Sequence, residues 1–478
     1  MSTSPPLVVP APVATKTFSL VGFLVVMELA SGLTQGWISP LLSSFMVRYD
    51  LTSAQATWIT TSALVSTVVC VPLLAKLGDL YGHKRLLMVA ACCVALGSTI
   101  VAIAPSFTVL LIGRVLQGAV TAFLPLEFAI VRERAGDSAN RAIGLLVGAL
   151  TIGASLGLLF AGICRQYMSL SGTLWLPAIL MILAVPLLAR LVPETVSRKA
   201  GAIDWGGAVL LGGGLAIFLV SLGNGASWGW TSGRTLTGLI VGVVLLTAWI
   251  SWENRSAHPL VELGLISRGG QGLPLLTAFL FGAHLFGSSA PTAVFMSASE
   301  STSGFGFGLS GSSLGASLLV LGASMFAGTA IASRLAASVG LRPVLVGGAL
   351  LSALGYGAQA AFHVDLGVFL VWQTLLGLGG GLVAAALPTI VVDRAPRDSV
   401  GIVSGLYNTT RTAAGSVAGA VFAAVMTGML TTRAVGGTPT PIVPASAYAV
   451  VWLICAGLAI AVAVLAVPLV RVRPTVSA

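Results

Sequence analysis

Long apolar runs alternate with short polar connections along almost the whole chain. A helix that crosses the hydrocarbon core of a membrane needs roughly 20 mostly apolar residues, and about 14 runs reach that length. They lie near 18–42, 56–75, 86–104, 108–129, 142–163, 173–192, 205–223, 235–252, 273–296, 311–332, 343–362, 366–391, 401–428 and 447–470. The period-2 alternation of half-buried strands is not found. The pattern predicts an all-α polytopic membrane protein.

Composition agrees with this prediction. The 478 residues are 56% hydrophobic and 8% charged, with a mean hydropathy of +1.01, which a soluble globular protein of this length would not tolerate. The sequence has no HExxH motif, no Cys/His metal spacing, no Walker loop and no nucleophile elbow. We therefore expect neither an enzyme nor a receptor, and no metal or cofactor. The five cysteines are expected to be small packing residues.

The net charge of +10 follows the membrane topology. With both termini placed inside, most of the 24 lysines and arginines fall in inner connections, so the positive-inside rule predicts cytoplasmic N and C termini. Because the membrane topology accounts for the net positive charge, we expect no nucleic-acid partner. The N-terminal segment lacks a basic n-region and cleavage site, and the first apolar run is expected to be retained.

The connection AKLGDLYGHKRLL, residues 75–87, carries the most specific pattern in the chain. An acidic residue here can accept hydrogen bonds from the N-terminus of a neighbouring helix, a glycine allows a positive φ, and cations suit the cytoplasmic leaflet. We interpret the segment as a gating loop that docks and releases; the alternative is an ordinary basic loop with a turn glycine. Its candidate residues are Asp79, Gly82, His83, Lys84 and Arg85.

The chain also contains an internal duplication. Residues 118–138 resemble residues 381–399, with Leu124-Pro125 matched by Leu387-Pro388, and residues 75–87 have a weaker echo at 333–345. The repeat predicts an N-terminal six-helix bundle (1–195), a linker with two extra helices (196–270) and a C-terminal six-helix bundle (271–478).

The loop at 75–87 resembles the motif between the second and third helices of the major facilitator superfamily, although Ala75 replaces its first glycine and Leu80 its usual basic residue. The order of six, two and six helices resembles the 14-helix drug:proton antiporter branch of that family. The resemblance implies a major facilitator fold with a substrate site near the midplane between two halves that rock to alternate access.

Ionisable residues inside apolar spans are costly and are functional candidates by default. Glu28 begins a polar stripe with Ser31, Gln35 and Ser39 on the first span. A carboxyl group there can bind and release a proton, and we interpret Glu28 as the coupling group. The resembling antiporters usually carry an Asp at the position of Ser31. A structural pairing and a substrate contact are the alternatives for Glu28.

Two arginines lie within spans. Arg114, with Gln117 and Thr121, resembles the family's fourth-helix motif and is predicted to act on a nearby carboxylate, with a structural ion pair as the alternative. Arg411 follows Asn408 by one turn, as in the 14-helix antiporters. This resemblance supports a role in substrate contact or in locking one state, and a structural role is the alternative.

Two further groups are less specific. His284 lies mid-span and is a candidate for the substrate cavity, the alternative being a neutral ring hydrogen-bonded across helices. The other residues predicted to line this cavity are Gln35, Gln117, Thr121, Asn408 and Arg411. Glu127 is a candidate for the inner end of a proton path, the alternative being a pair with Arg132 or Arg134 near the headgroups.

The fifth span contains Gly153, Gly157 and Gly162, where the resembling antiporters have G-P-x-x-G-G. The kinking proline is missing here, and tight helix packing alone explains the glycines. The missing proline matters for the mechanism, because in the resembling antiporters this motif is associated with export by antiport.

These features predict a proton-driven exporter of hydrophobic or amphiphilic molecules such as drugs or secondary metabolites, acting as a monomer in a bacterial cytoplasmic membrane. Few fixed charges and several aromatic side chains in the spans suit an apolar ligand. The alternatives are a proton-coupled uptake symporter and a lipid transporter of the same fold.

Overall fold

The computed structural model describes residues 14–51, 53–195, 204–256, 259, 264, 270–309, 311–363, 365–396, 399–435 and 438–469. Both chain termini, whose cytoplasmic location is a prediction, lie outside the described residues. So do residues 196–203 and most of 257–269 of the predicted linker.

Fourteen long helices form most of the described chain. They are α1 (Ala14–Gly36), α2 (Ser53–Tyr81), α3 (His83–Ile103), α4 (Phe107–Arg134), α5 (Ala139–Tyr167), α6 (Leu170–Leu191), α7 (Trp205–Gly223), α8 (Gly233–Glu253), α9 (Gly272–Ser297), α10 (Gly311–Val339), α11 (Leu341–Ala361), α12 (Leu366–Asp393), α13 (Val400–Gly428) and α14 (Ala445–Leu469). Thirteen of the described helices include a stretch that is long and apolar enough to cross a membrane. The other, α13, is equally long but carries the polar run from Asn408 to Arg411. The predicted polytopic helical class is confirmed.

The helices pack as two groups that meet along two seams. In the first group α1 packs on α5, and α3 packs on α4 and α6. In the second, α9 packs on α13 and α14, while α12 packs on α10 and α11. The seams are α2 against α13 and α5 against α10, with further contacts of α4 on α13 and of α5 on α12. The inserted helices α7 and α8 pack on each other, and α7 also rests on α2 and α13. This arrangement is compatible with the division at residues 195 and 270, which stays a prediction.

Four glycines bring α1 and α5 into backbone contact. A Cβ atom at any of them would collide with a carbonyl oxygen of the partner helix. Small residues at such spacing allow close approach of helices in lipid. The four are Gly32 and Gly36 in α1 and Gly153 and Gly157 in α5.

The structure departs from the predicted spans in three places. The first helix ends at Gly36, and residues Ser39–Leu41 form a 3₁₀ turn, so the predicted polar stripe does not continue regularly to Ser39. In α4 the α-helical hydrogen bonding changes to 3₁₀ over Gly118–Ala122, where Gly118 lies against α2. Two antiparallel strands, β1 (Thr431–Val435) and β2 (Thr438–Ile442), connect α13 to α14 and were not predicted.

Candidate functional site

A tight turn joins α2 to α3 and creates the first part of the site. Gly82 between the two helices has φ of +108°, a value that only glycine adopts readily. A Cβ atom at Gly82 would lie 2.7 Å from a carboxylate oxygen of Glu194. The glycine therefore permits both the turn and the approach of Glu194.

Asp79, at the end of α2, caps the N-terminus of α13 from the other half of the molecule. Its Oδ1 accepts a hydrogen bond from the backbone N–H of Gly401 at 3.0 Å, and its Oδ2 accepts one from Ile402 at 2.8 Å. A carboxylate is favourable at this end of a helix, where unpaired N–H groups and the helix dipole concentrate positive charge. We call the group formed by Asp79, His83, Glu194, Thr195, Gly401 and Ile402 the latch.

His83 is buried inside the latch. Its Nε2 lies 2.9 Å from Asp79 Oδ1 and its Nδ1 lies 3.0 Å from Thr195 Oγ1. The backbone N–H of His83 also donates to Thr195 Oγ1, at 3.1 Å. One tautomer satisfies all three bonds: Nε2–H donates to Asp79, and Nδ1 accepts from the Thr195 hydroxyl.

Lys84 and Arg85 are held within their own half of the molecule. The carboxylate of Glu194 accepts from the backbone N–H of Lys84 at 3.0 Å and of Arg85 at 3.2 Å, so it caps α3. The Lys84 ammonium donates to the carbonyl of Ala189 at 2.9 Å. Glu194 and Thr195 were missed by sequence reasoning, and the available signal was an acid followed by a hydroxyl just after the last turn of α6.

A second polar group, the central polar cluster, lies deeper between the halves. It consists of Glu28, Thr121, Glu127, Tyr407, Asn408 and Arg411. Glu28 of α1 is 1% exposed and Glu127 of α4 is 0% exposed. None of their four carboxylate oxygens meets the geometric limits of a hydrogen bond among the described residues, but the Ser31 hydroxyl lies near the Glu28 carboxylate. Glu28 and Glu127 are near enough to interact electrostatically.

The alternative interpretation of Glu127, a pair with Arg132 or Arg134, is wrong. Arg132 forms an ion pair with Asp393 at 2.5 Å, which joins the ends of α4 and α12. Arg134 lies beside Glu133 and donates to the backbone carbonyl of Glu194. Glu127 faces inward, about two helical turns from the end of α4, because the apolar run alone does not set which face of the helix it occupies.

The cluster receives its basic group from α13. Arg411 donates to Asn408 Oδ1 at 3.1 Å, and Asn408 Nδ2 donates to the carbonyl of Thr121 in α4 at 3.2 Å. The guanidinium carbon lies 5.2 Å from the ring centroid of Phe286 and 5.5 Å from that of Tyr407. Glu28 is within electrostatic range of Arg411. These contacts place Arg411 and Asn408 at the interface between the halves.

Arg114 and Gln117 lie elsewhere. Arg114 donates to the carbonyl of Ile59 at 2.8 Å and to Gln117 at 2.6 Å, and Gln117 donates to Ser98 of α3 at 2.9 Å. No carboxylate of the described residues forms an ion pair with Arg114. The predicted action of Arg114 on a nearby carboxylate therefore has no partner here, and Gln117 points toward α3 within the first group of helices.

His284 is also separated from the cluster. Its ring packs edge-on against Phe281 and Tyr356, with centroids 5.4 and 5.6 Å away. Neither ring nitrogen has a hydrogen-bond partner in the described chain, so the alternative of a ring hydrogen-bonded across helices is wrong. Tyr356 instead donates to the backbone carbonyl of His284 at 2.7 Å. The side-chain contacts of His284 are therefore with Phe281 of α9 and Tyr356 of α11, and not with the other residues predicted to share a cavity with it.

The remaining predicted residues lie on α1 and α5. Gln35 is half-buried, and its side chain donates a hydrogen bond to the Ser31 hydroxyl at 3.2 Å. Ser31 lies about one helical turn after Glu28. Gly153 and Gly157 both lie in backbone contact with α1, where a Cβ atom would collide with a carbonyl oxygen. Gly162 is a half-buried position of the same uninterrupted helix. The helix runs without a kinking proline through the region where the resembling motif has one.

Comparison with known proteins identifies the family. A family model described as Major Facilitator Superfamily matches residues 24–295, more than half of the chain. The chain belongs to the major facilitator superfamily. Membership confirms the predicted fold class and makes the chain a membrane transporter.

Curated members of the major facilitator superfamily are similar over most of the chain. A cephamycin export protein, CmcT, of Amycolatopsis lactamdurans is 28% identical over 88% of this chain and 86% of its own length. A tetracenomycin C resistance and export protein of Streptomyces glaucescens is 27% identical over 78% of this chain and 69% of its own. The multidrug resistance protein Stp of Mycobacterium tuberculosis is 24% identical over 78% and 69%. These relatives confirm the resemblance to drug-exporting members of the superfamily.

A solved structure supports the fold independently. The human organic anion transporter MFSD10 (TETRAN) superposes with a TM-score of 0.68, covering 94% of this chain and 99% of that one at 16% sequence identity. At this identity the likeness concerns the fold alone.

Proposed function

We propose that the protein exports hydrophobic or amphiphilic small molecules, such as drugs or secondary metabolites, in exchange for protons. The names of the relatives support this direction and substrate class, since two are export proteins for microbial products and one is a multidrug resistance protein. The chain's own contribution to the proposal is the central polar cluster.

The observation that carries the proposal is the pair of buried carboxyl groups, Glu28 and Glu127, of which Glu127 has no hydrogen-bond donor among the described residues and Glu28 has only the nearby Ser31 hydroxyl. An ionised carboxylate without a donor is costly in an apolar interior, and protonation removes that cost. Two adjacent carboxyl groups cannot both ionise cheaply. The pair is therefore suited to hold a proton in the closed arrangement described here and to release it when the halves separate and water enters.

Arg411 supplies the opposing charge. It is attached to α13, while the two carboxyl groups belong to α1 and α4, so movement of one half against the other changes its distance from Glu28. An approaching guanidinium stabilises the ionised carboxylate and favours loss of the proton. Asn408 positions the Arg411 side chain relative to α4, because it accepts a hydrogen bond from Arg411 and donates one to the Thr121 carbonyl.

The latch provides the alternating step. Asp79 and the Arg132–Asp393 pair both join the two halves at the end predicted to be cytoplasmic. With these contacts made, access from that end is closed; their release would open the central polar cluster to it. We infer that Asp79, Gly82, His83, Lys84 and Arg85 act as a gating loop in this sense.

The test is substrate-dependent proton movement in everted membrane vesicles. Wild type should collapse an imposed pH gradient when a lipophilic cation or neutral drug is added, whereas Glu28→Gln and Glu127→Gln should bind the drug without moving protons. Glu133→Gln is the matched control, because it makes the same chemical change on α4 beyond the membrane interior. Substrate flux in wild type without any proton flux would refute the antiport proposal.

Direction of flux separates the alternatives. An uptake symporter would accumulate substrate with the proton gradient, and a lipid transporter would move labelled lipid between leaflets at the expense of drug transport. Export supports the proposal even though α5 lacks the proline of the resembling motif.

A further inference from the structure

The rings around Arg411 bear on the kind of substrate that the central polar cluster can accept. The Arg411 guanidinium lies over the ring of Phe286 on α9 and over that of Tyr407 on α13, with its carbon 5.2 and 5.5 Å from the two centroids. Such contacts are attractive because an aromatic face carries negative potential, which is also what attracts a cationic ligand. In this protein the chain itself supplies the cation that these rings bind.

The Phe286 ring is open on the side away from its own group of helices. Phe286 is 41% exposed, whereas Tyr407 is fully buried and Arg411 is 3% exposed. On the opposite side of α9, Phe281 and His284 are buried within that group. Phe286 therefore presents a free aromatic surface directly beside the cationic group of the cluster.

Phe286 is also held in place before any ligand arrives. Helix α13 packs on the base of its side chain, since a Cβ atom at Gly415 would lie only 2.5 Å from the Cβ atom of Phe286. Arg411 is in turn held by Asn408, which bonds to the Thr121 carbonyl. A surface fixed in advance costs a ligand less ordering on binding, and aromatic pairs gain stability beyond the area they bury. The ring is thus suited to receive a planar aromatic ligand.

We propose that Phe286 is the stacking surface of the substrate site and that Arg411 makes the site select uncharged planar aromatic compounds over aromatic cations of the same shape. This selection rests on the proposed export function, whose substrate class it narrows.

The charges of the central polar cluster favour an uncharged ligand. Glu28 and Glu127 interact electrostatically, and two such carboxyl groups do not both ionise cheaply. When one of them is ionised, its charge balances that of Arg411; when both are protonated, Arg411 remains as the net charge. In neither case does the cluster hold a spare negative charge for a cation that leaves water, and an unpaired charge in an apolar interior is costly.

Arg411 also weakens the ring as a site for cations. A second cation on the free face of Phe286 would be repelled by the guanidinium across the ring, and the repulsion is stronger away from water than in it. An uncharged ligand of the same size meets no such repulsion and keeps both the stacking and the burial of apolar surface. The two ligands are therefore distinguished by charge and not by shape.

The experiment compares two probes that share one planar frame of fused rings. Acridine is uncharged in mildly alkaline buffer, and N-methylacridinium carries a fixed positive charge. Their affinities for the purified protein in detergent are measured by fluorescence titration for wild type, Phe286→Leu, Arg411→Gln and Arg411→Lys. Phe160→Leu is the matched control, because Phe160 on α5 is 43% exposed and, within the described chain, has no cationic side chain over its ring.

Wild type should bind acridine more tightly than N-methylacridinium. Phe286→Leu should weaken acridine binding about two- to ten-fold, the range for one aromatic pair, and Phe160→Leu should leave it unchanged. Arg411→Gln should tighten N-methylacridinium binding about two- to thirty-fold, because the freed ring can then bind the cation. Arg411→Lys keeps the positive charge and should keep the wild-type preference.

Tighter binding of the cation than of acridine by wild type, or no detectable binding of acridine, would overturn the proposal. Equal effects of Phe286→Leu and Phe160→Leu would do the same, because they would mean that the Phe286 ring faces lipid and not the ligand. Should Arg411→Gln not fold, Arg411→Met is a second uncharged replacement with the same expected outcome.

The titrations involve no proton movement, so their outcome is independent of the vesicle test of antiport. If the protein exchanges protons for substrate but binds the cation more tightly, the charge selection is refuted and the proposed function stands. If it binds the probes with the expected preference but moves no protons, antiport is refuted and the charge selection stands.

Discussion

Replacing Gly401 by alanine tests how closely the two halves must approach at the latch. A Cβ atom there would lie 2.5 Å from Asp79 Oδ1, 2.7 Å from His83 Nε2 and 3.1 Å from the carbonyl oxygen of Ala75. Ordinary contacts of such atoms are about 3.5 Å or longer. Relief requires α13 to move away from α2, which stretches the two N–H···O bonds that Asp79 accepts. We expect Gly401→Ala to destabilise the closed arrangement.

Overpacking of this kind typically costs about 1–3 kcal/mol. Since each 1.4 kcal/mol is a factor of ten, the ratio of open to closed molecules should rise roughly 5- to 150-fold. Alanine also favours a helix over glycine by about 1 kcal/mol, but α13 is taken to be helical in both conformations, so this gain does not enter the ratio. The ratio is measured in lipid nanodiscs as the distance between spin labels on unnatural side chains at Arg190 and Ser338, which are exposed at the ends of α6 and α10 in different groups of helices.

Gly419→Ala is the matched control on the same helix. Nothing lies within 4 Å of a Cβ atom at that position, so this variant should keep the wild-type distance distribution. If Gly401→Ala also keeps it, the latch does not depend on the close approach seen here, and the account of Gly401 is wrong.

Three further predictions concern other parts of the molecule. Asn408→Leu removes the hydrogen bonds to Arg411 and to α4. It should lower the transport rate at least ten-fold, while drug binding, followed by fluorescence, changes less. An unchanged transport rate would exclude a role of Asn408 in positioning Arg411. Gly157→Val should lower the melting temperature in detergent by several degrees because α1 and α5 can no longer touch, whereas Gly347→Ala, with open space around it, should not. Burial alone would raise the pKa of Asp204, but hydrogen bonds from the Gly207 N–H and from Trp252 outweigh it and hold that pKa below its usual value. The stabilising effect of the Asp204 charge is therefore present at neutral pH and lost as pH falls below about 4. Asp204→Asn should lower the melting temperature at pH 7 and leave it unchanged in strong acid. An equal loss of melting temperature at both pH values would contradict this.

The helices were predictable because the length of an apolar run nearly fixes a membrane span. The run near 366–391 became Leu366–Asp393 in the structure, and the ends of the other spans differ from the observed helices by up to seven residues. The short hairpin between α13 and α14 was not predictable in this way, because its ten paired residues include two prolines and no sustained alternation.

The candidate site was predictable only where one segment carries it. The loop at 75–87 contains its own acid, glycine and basic residues, and the structure shows Asp79 on a helix N-terminus, which is the kind of contact the loop was expected to make. The environments of Glu127 and His284 depend on helices distant in sequence, and the apolar runs do not specify which neighbours they meet. Glu194 and Thr195 were missed for the same reason, since their partners lie more than 100 residues earlier in the chain.

The position of the inserted pair has a consequence for molecules that arrive dissolved in the bilayer. Helix α7 rests on both α2 and α13, so it covers the lipid-facing side of one seam between the halves. No helix of the described chain covers the other seam, between α5 and α10, in the same manner. At the α5–α10 seam the two groups of helices meet directly, since a Cβ atom at Gly148 of α5 would collide with Thr329 Oγ1 of α10. A lipophilic compound diffusing in the leaflet would therefore meet α7 and α8 on one side and a closely packed pair of helices on the other. Lateral entry from the membrane should require one of these two seams to part.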